Sequence, residues 1–529
     1  MTPALTHPLD EQLAALLQRL GGTADVAGLR ALVKYVSERT RNGVIAAPLA
    51  GLPGVDPAAL QADVVGEPGD YKPIIVSATH AWLYRYWQYE ERLAKQVRQR
   101  LTQGEGVTGI PALWIISGGP GTGKTTRVTR LMADLLAQGV RSERILLAAP
   151  TGKAAMRMLE SIRDTRERLQ LPVEIAEQLP TQARTLHRLL GYIPNRVGFR
   201  HHAQHPLPAD VVIVDEASMI DISLMTHLFE AVSPTARLIL LGDKDQLASV
   251  ETGSIFRDLC EAPALQAHRQ VLQRSYRFSE SDGVGQLAQA IRAADETRLL
   301  AVLAAEEFPS VSWDESGEGL QAQWLQDGWQ AYVSAVQAGD VAAVFQAFND
   351  LRILTPLRQG RLGVEGLNPW VDNVMQRLLP THAGALRPWY VGRPVMVTQN
   401  DYRQELFNGD IGIALPDAQG VLRVWFPTAQ AGEFRAVAPI RLPAHETAWA
   451  MTIHKSQGSE FTRVLLLLPD VEDSPLLGRE LLYTAVTRAK QGIHVIASRA
   501  TLQRALQQVM PPASCLQEKL FKPSPQPCS

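Results

Sequence analysis

The sequence predicts an α/β protein with two parallel sheets, a helical amino-terminal region and a small β-barrel inserted in its second half. Buried strand-like runs alternate with stretches long enough for crossover helices in both halves of the chain. A glycine-rich loop follows the first of these runs and opens a helix. A separate segment carries short alternating strands joined by turn residues, which is typical of a small antiparallel domain.

The composition sets broad limits on the class of protein. The chain has 529 residues, too many for one core, so we expect several domains. Its 46% hydrophobic and 20% charged residues are typical of soluble globular proteins. We find no apolar run of membrane-spanning length and no secretion signal, and the three cysteines lack zinc or disulfide spacing, so we expect a cytoplasmic protein without a membrane partner. A net charge of −2 limits any nucleic-acid contact to a local basic groove.

The chain divides into four regions. Residues 1–105 begin with an amphipathic helix and end in an aromatic and basic segment, and we expect a helical domain. Residues 106–345 contain the runs LWIIS, ILLAA, VVIVD and RLILLGD, which predict the first parallel sheet. Residues 346–529 contain LRILTP, RVLLLL and IHVIAS, which predict the second. Within them, residues 391–445 predict the inserted barrel.

The loop GGPGTGKTT fills the template of a phosphate-binding P-loop between a buried strand and a helix. Glycines allow backbone N–H groups to curl around phosphates, and the helix N-terminus adds partial positive charge. Lys124 is expected to reach the β- and γ-phosphates of a nucleoside triphosphate, and Thr125 to complete the shell of a Mg²⁺ ion. The alternative is a flexible turn without a ligand. The predicted nucleotide-binding residues are Gly118, Gly119, Pro120, Gly121, Thr122, Gly123, Lys124, Thr125 and Thr126.

Two carboxylates follow the strand VVIV directly. At the carboxyl end of a strand in such a sheet, Asp215 is expected to hold Mg²⁺, and Glu216 to orient and deprotonate the attacking water. The alternative is a helix cap with acidic first-turn residues. Gln246, just past the next strand, is our choice for a sensor of the γ-phosphate; a solvated acidic turn is the alternative there.

Two arginines outside the first sheet complete the predicted catalytic set. Arg277 lies in LQRSYRF and Arg488 in LLYTAVTRAK. A guanidinium placed against the γ-phosphate strongly favours phosphoryl transfer. Spacing alone does not select either arginine, because an isolated arginine is far more often a surface residue.

The order of the motifs resembles that of superfamily 1 helicases, and in particular the RecD branch, which includes the α subunit of the helicase–nuclease exodeoxyribonuclease V. The resemblance covers residues 118 to 490. The segments that carry it are GGPGTGKTT, APTGKAAMRM, ARTLHRLLG, VVIVDEASMI, LLGDKDQLASVETGSIF, LQRSYRF, TIHKSQGSEF and LLYTAVTRAK.

This resemblance implies two RecA-like domains with ATP between them and single-stranded DNA across their tops. It implies an ATP-dependent 5′→3′ DNA helicase that acts at duplex ends in a heterotrimer with RecB- and RecC-like subunits, in the bacterial cytoplasm and at the nucleoid. It also implies an SH3-like fold for the inserted barrel and a partner-docking role for the amino-terminal region. The DNA-contact residues it implies are Thr151, Lys153, Thr185, His187, Thr452, His454 and Gln457.

Several alternatives stay open on the sequence. One alternative is an RNA helicase, which has the same ATPase motifs. Another is a regulatory scaffold in which ATP hydrolysis only switches the state of the complex. The amino-terminal region is either a docking surface or an inhibitory flap. The stretch before the P-loop also lacks a clear counterpart of the family's adenine-binding glutamine, so the adenine contact is not assigned.

Overall fold

In the residues that it describes, the structure, a computed structural model, contains four sheets. It describes residues 7–52, 54–56, 60, 62–104, 109–193, 198–247, 255–277, 282–316, 320–379, 388–401, 403–428, 432–470, 477–509 and 513–521. Within these residues, no helix combines the length and the apolar character needed to cross a membrane. Cys260 and Cys515 are buried free thiols, and Cys528 lies outside the described residues.

The amino-terminal region is mixed α/β, whereas we expected a helical domain. Two helices pack together over a four-stranded sheet of order β1-β4-β3-β2, and a long helix leads out of it. Its strands have two to four residues, too short for an alternating pattern to stand out in the sequence. The elements are α1 (Pro8–Gly21), α2 (Val26–Arg41), β1 (Ala47–Pro48), β2 (Val65–Gly66), β3 (Ile74–Val76), β4 (His80–Leu83) and α3 (Tyr84–Leu101).

The resemblance implies two motor domains. The first motor domain is built on a six-stranded parallel sheet of order β10-β5-β9-β8-β6-β7. The four predicted strands form its centre, and their side chains are buried by helices on both faces. The elements are β5 (Leu113–Gly118), α4 (Lys124–Ala137), β6 (Ile145–Ala149), α5 (Gly152–Arg168), α6 (Val173–Gln178), β7 (Ala183–Thr185), α7 (Leu186–Leu190), β8 (Val211–Val214), α8 (Ile222–Ala231), β9 (Arg237–Gly242), α9 (Ile255–Glu261) and β10 (Arg269–Leu272).

The second motor domain is built on a five-stranded parallel sheet of order β11-β20-β19-β12-β18. Its elements outside the inserted region are α10 (Gly283–Ala293), α11 (Glu296–Ala304), β11 (Val311–Asp314), α12 (Ala322–Gly328), α13 (Gln330–Ala338), α14 (Val341–Asp350), β12 (Leu351–Thr355), α15 (Val364–Met375), β18 (Ala450–Thr452), β19 (Phe461–Leu467), α16 (Arg479–Val486), β20 (Ala489–Ile496) and α17 (Arg499–Gln507). The last helix, α18 (Leu516–Phe521), packs instead against α3 and α9, and its Leu516 and Leu520 belong to the core of the first motor domain. The predicted second domain, 346–529, therefore ends before α18.

The boundary that we predicted at residue 345 is wrong. Strand β11 pairs with β20 at the edge of the second sheet, and α10 packs against α16 of the same domain. The second domain therefore begins with α10, near residue 283. The reason is non-local: β11 finds its partner about 180 residues further along the chain, which no local pattern indicates.

The inserted region forms a five-stranded antiparallel sheet of order β16-β15-β14-β13-β17 with a small core of its own. Its strands are β13 (Pro394–Val397), β14 (Ile411–Pro416), β15 (Leu422–Pro427), β16 (Phe434–Val437) and β17 (His445–Thr447). The sheet thus extends two residues past the predicted end. Tyr402, an aromatic residue of this region, lies outside the described residues.

A buried arginine fastens the long helix α3 to the first motor domain. Arg100 is 1% exposed, and its guanidinium donates to the carbonyl oxygens of Val232 at 2.6 Å and of Phe229 and Ala236 at 3.2 Å, in the last turn of α8 and just past it. Burial lowers its pKa to about 10, so it stays charged at neutral pH. A charged donor at these carbonyls satisfies groups that the helix itself leaves unpaired.

Replacing this side chain should loosen the amino-terminal region from the motor. We expect Arg100→Met to lower the free energy of unfolding by about 2 to 4 kcal/mol, because three buried carbonyls lose a charged donor. Thermal and urea unfolding of the full chain measure this. Lys95→Met, on the exposed face of the same helix, is the matched control; an equal loss in both variants contradicts the assigned role.

Candidate active site between the two motor domains

A cleft of about 1170 Å³ lies between the two parallel sheets. The P-loop, which runs from the end of β5 to the start of α4, forms one wall. Both sheets contribute side chains near the carboxyl ends of their strands, where ligands bind in sheets of this type. The predicted residues that line the cleft are Pro120, Gly121, Thr122, Gly123, Lys124, Thr125, Thr126, Asp215, Glu216, Gln246, Arg277 and Arg488.

The P-loop is folded as a nest at the start of α4. Gly121 and Gly123 have φ values of +72° and +84°, which side chains rarely adopt. A Cβ atom on Gly121 would also lie 2.3 Å from the Cβ of Arg277. The Nζ of Lys124 donates to the carbonyl oxygens of Gly118 at 2.5 Å and Gly119 at 3.1 Å. Backbone oxygens of the loop therefore hold the ammonium group of Lys124 in place.

The two carboxylates sit at the end of β8. Asp215 accepts a 2.9 Å hydrogen bond from the backbone N–H of Glu216. Burial, together with the neighbouring Glu216, raises the pKa of Asp215 to about 6, although Lys124 opposes the shift. Glu216 has φ +52°, a left-handed conformation that costs a non-glycine residue free energy. The structure thus holds two neighbouring carboxylates, Asp215 and Glu216, near the ammonium group of Lys124.

The buried amide of Gln246 follows the next strand. Its Nε2 donates to the Oδ2 of Asp243 at 3.1 Å. Burial raises the pKa of Asp243, and Lys124 counteracts that rise. Gln246 therefore lines the cleft just past the carboxyl end of β9, and its side chain donates to an aspartate.

The two predicted arginines enter the cleft from different sides. Arg277 Nη1 pairs with Glu460 Oε1 at 2.6 Å, a salt bridge between the two motor domains. Arg488 is 2% exposed; its Nε donates to the carbonyl oxygen of Thr484 at 3.1 Å and its Nη1 to that of Ser459 at 3.0 Å. The structure thus brings both arginines to the cleft that holds the P-loop.

Comparison with known proteins places this architecture in a family. Residues 106–252 match the family model described as an AAA domain, and residues 447–496 match that of the UvrD-like helicase C-terminal domain. The RecBCD enzyme subunit RecD of Mycolicibacterium smegmatis is 37% identical over 98% of both chains. The chain belongs to the RecD family.

Other relatives agree with this assignment. The RecBCD enzyme subunit RecD of Haemophilus influenzae is 35% identical, covering 75% of this chain and 68% of that protein. The ATP-dependent RecD2 DNA helicase of Deinococcus radiodurans is 33% identical over 74% of this chain but 48% of its own length. As a RecD-family member with both helicase domains, the chain is an ATP-dependent helicase of superfamily 1.

Further cleft residues were absent from our predicted set. Glu460 of the second domain lies between Arg277 and Lys490, 3.8 Å from the Nζ of Lys490. Burial alone would raise the pKa of Glu460, but Arg277, Arg157 and Arg488 together lower it. Arg157 of α5 faces the same carboxylate, and burial lowers its pKa. Tyr276 is 74% exposed, and its ring carbon lies 3.7 Å from where a Cβ on Gly123 would stand. Lys490 and Tyr276 are close in sequence to the predicted arginines. Glu460 and Arg157 have no predicted catalytic residue beside them in the sequence, so the motifs alone gave little reason to select these two residues.

Most residues expected to contact DNA lie just after the carboxyl ends of strands on one side of each sheet. Thr151 follows β6 and caps α5, and Thr185 ends β7 and caps α7. His187 is exposed on α7. Thr452 ends β18 and is half-buried like His454, whose pKa burial lowers. The structure groups these residues on the loops after β6, β7 and β18.

Lys153 and the inserted sheet meet at these loops. Lys153 is half-buried, and burial together with Arg157 and Arg352 lowers its pKa to about 7, while Asp410 of the inserted region opposes the shift. The guanidinium of Arg188 lies 4.9 Å from the centroid of the Phe407 ring, between the first motor domain and the inserted region. Trp425, another aromatic of this region, donates to the carbonyl oxygen of Leu415 within the sheet.

Gln457 is placed differently from our expectation. Its side chain is 9% exposed, and its Nε2 donates to the carbonyl oxygen of Leu247 at 2.7 Å. The amide expected to touch DNA is instead committed to the loop that carries Gln246. The motif places Gln457 on the same turn as Thr452 and His454, but the side chain points across the domain interface.

Removing the charge of Asp215 should stabilise the nucleotide-free chain while abolishing hydrolysis. Because its pKa of about 6 exceeds the ordinary 3.8, ionisation costs stability, and that cost grows as the pH rises from 3.8 to 6. We expect Asp215→Asn to be more stable at pH 8 by about 2 kcal/mol, with little gain at pH 4. Unfolding at both pH values, without nucleotide or divalent cations, measures this.

The control is Asp210→Asn, which removes a carboxylate that is about half exposed and paired with Arg144 on the surface. A gain for Asp215→Asn that is the same at pH 4 and pH 8 contradicts the electrostatic cause.

Proposed function

We propose that the chain is an ATP-driven 5′→3′ motor on single-stranded DNA, and that it works beside RecB- and RecC-like subunits at duplex ends. One observation carries the proposal. A P-loop, two carboxylates and a buried amide from one domain face an arginine from the other across a single cleft. Such an arrangement is complete only when the domains approach each other, which is how hydrolysis is coupled to domain motion.

Binding of the triphosphate begins at the P-loop. Phosphate oxygens take over the Nζ of Lys124 from the carbonyl oxygens of Gly118 and Gly119, and the backbone N–H groups at the start of α4 point toward them. Tyr276 takes the adenine, because its ring is exposed beside the loop and an aromatic face stacks on any base. This supplies the adenine contact that the sequence did not assign.

Mg²⁺ fits the residues at the end of β8. The raised pKa of Asp215 reflects buried negative charge that a divalent cation relieves, and oxygen ligands are those Mg²⁺ prefers. Thr125 and Asp215 would hold the ion, which when bound neutralises charge on the phosphates. Glu216 orients the attacking water and accepts its proton, and its strained backbone fixes the direction of its carboxylate.

The arginines complete the site when the domains close. Arg277 leaves Glu460 for the γ-phosphate, exchanging one anion for another, and Arg488 approaches from the second domain with Lys490. Release of phosphate restores the pair between Arg277 and Glu460. Alternate closing and opening then moves the loops of one domain relative to those of the other.

Single-stranded DNA crosses the segments that follow β6, β7 and β18. Thr151, Lys153, Thr185 and His187 hold the backbone from the first domain, and Thr452 and His454 from the second. Hydroxyl and basic groups at such positions contact phosphates without selecting bases. The inserted sheet is the counterpart of the family's SH3-like domain, and its Phe407 faces the strand beside Arg188.

The amino-terminal domain docks the partner subunits. Helix α1 carries an exposed apolar stripe of Leu9, Leu16 and Leu20, which are 55%, 44% and 59% exposed. An exposed apolar stripe on a small domain favours an interface. The relative from Mycolicibacterium smegmatis is named as a subunit of the RecBCD enzyme, which supports an assembly of this kind for the chain.

The DNA grip should weaken as the pH rises. Because Lys153 has a pKa of about 7 in the DNA-free chain, a bound phosphate favours its protonation, and binding takes up a proton above that pH. We expect the affinity for single-stranded DNA to fall about tenfold between pH 7 and pH 9. Fluorescence anisotropy at constant salt measures this. Lys153→Arg is the control, since it keeps its charge; an equally steep pH dependence in that variant contradicts the role of Lys153.

Strand separation tests the proposed function. We expect the full chain, bound to partner subunits whose own motor is disabled, to unwind duplexes with a 5′ single-stranded tail but not with a 3′ tail. Lys124→Gln should abolish this unwinding, because the γ-phosphate loses its cation. Preference for the 3′ tail, or equal stimulation by RNA and DNA, contradicts the proposal.

A further inference from the structure

The loop that carries the sensor glutamine is clamped by three side chains of the second motor domain. This sensor loop, 243–247, leaves the end of β9. The hydroxyl of Tyr483 donates to the Oδ2 of Asp243 at 3.2 Å, and the backbone N–H of Leu247 donates to the Oγ1 of Thr484 at 2.8 Å. The Nε2 of Gln457 donates to the carbonyl oxygen of Leu247 at 2.7 Å. Both polar backbone groups of Leu247 are thus satisfied across the domain interface.

Asp243 contacts both the sensor Gln246 and Tyr483 of the second motor domain through one oxygen atom. Its Oδ2 accepts from both Gln246 Nε2 and Tyr483 Oη, and its Oδ1 accepts from the backbone N–H of Asp245 at 3.1 Å. The aspartate is 2% exposed. A buried carboxylate that loses one donor holds the remaining one more tightly, because no water replaces it. A turn of Gln246 toward a nucleotide therefore changes the bond to Tyr483.

The P-loop touches the same hydroxyl. A Cβ atom on Gly119 would lie 2.8 Å from Tyr483 Oη and 3.7 Å from Asp243 Oδ2. The loop backbone therefore passes directly against the clamp. A shift of the P-loop on binding phosphate reaches Tyr483 as well as Gln246.

The three side chains that hold the sensor loop are connected in turn to Arg488 and to the turn that carries Thr452 and His454. Tyr483 and Thr484 lie on α16, and the carbonyl oxygen of Thr484 accepts from Arg488 Nε. Gln457 ends the turn that begins with Thr452 after β18. One short turn thus carries a residue bound to the sensor loop and two residues assigned to the DNA strand.

We propose that Tyr483 and Gln457 are positioning residues that transmit the state of the γ-phosphate sensor Gln246 to α16 and to the DNA-facing turn 452–457. The inference rests on the proposed function and deepens it, since it names the contacts that couple hydrolysis to the strand. Neither residue touches the reacting atoms. Tyr483 acts through Asp243, and Gln457 through Leu247.

The protonation states suit this arrangement. Burial, and next the charge of Asp243, raise the pKa of Tyr483 well above its ordinary value, so the phenol keeps its proton and remains the donor. Because both donors to Asp243, the phenol of Tyr483 and the amide of Gln246, are neutral, the direction of these hydrogen bonds does not change over the pH range in which the protein works. The facing charges on the other elements are Asp245 and Arg292.

Hydroxyl removal at Tyr483 tests the coupling. Tyr483→Phe keeps the ring and deletes the bond to Asp243, and Gln457→Met keeps the length and deletes the bond to Leu247. Tyr332→Phe is the matched control, because that buried phenol donates to the carbonyl oxygen of Gly392, away from the cleft. The full chain is assayed with its partner subunits, whose own motor is disabled in its P-loop.

The readouts are the stimulation of ATP hydrolysis by single-stranded DNA and the ATP consumed per base pair unwound. We expect Tyr483→Phe and Gln457→Met each to reduce the stimulation about tenfold and to raise the ATP consumed per base pair, with the KM for ATP within about twofold of the wild type. Tyr332→Phe should change none of these. Melting temperatures establish that each variant is folded.

Each outcome bears on the inference. If stimulation and ATP consumed per base pair are those of the wild type in either folded variant, or if rates with and without DNA fall in equal proportion, the contact is structural and the inference is wrong. If Tyr483→Phe does not fold, Gln457→Met decides alone. A wild-type complex without DNA stimulation instead contradicts the proposed function itself.

Discussion

The cleft between two parallel sheets is the constraint on which the rest of the structure depends. Carboxyl ends of strands place the P-loop, Asp215 and Gln246 on one wall, because parallel strands end at one edge of a sheet. The second sheet places Arg488 and Glu460 on the other wall. Neither domain holds the full set, so the chemistry depends on the distance between them.

Buried polar groups set that distance in the nucleotide-free chain. Arg277 pairs with Glu460, and Arg257 pairs with Glu480 at 2.9 Å across the same interface. Leu247 is held by hydrogen bonds at both of its backbone groups. Such contacts are easily exchanged for a charged ligand, unlike a large apolar interface, and they suit a hinge that must open in every cycle.

The sequence predicted the strands that are buried on both faces and the loops with strict chemical demands. VVIV and LWIIS could only be core strands, and the P-loop glycines meet positive φ values that few other residues adopt. What it could not predict depends on partners far along the chain. Strand β11 belongs to the second sheet because it pairs with β20, and Gln457 turns toward Leu247 because the domain interface lies there. Tyr276 is identified by its exposure beside Gly123, which its residue type does not reveal.

The most direct test of this account is a structure of the full chain, in its complex, with single-stranded DNA and ADP bound to aluminium fluoride. In that complex, we expect Lys124 to have left the carbonyl oxygens of Gly118 and Gly119, and Arg277 to have exchanged Glu460 for the fluoride that mimics the γ-phosphate. If Arg277 still pairs with Glu460 and Lys124 still rests on the backbone while the analogue is bound, the two domains do not complete one active site, and the account is contradicted.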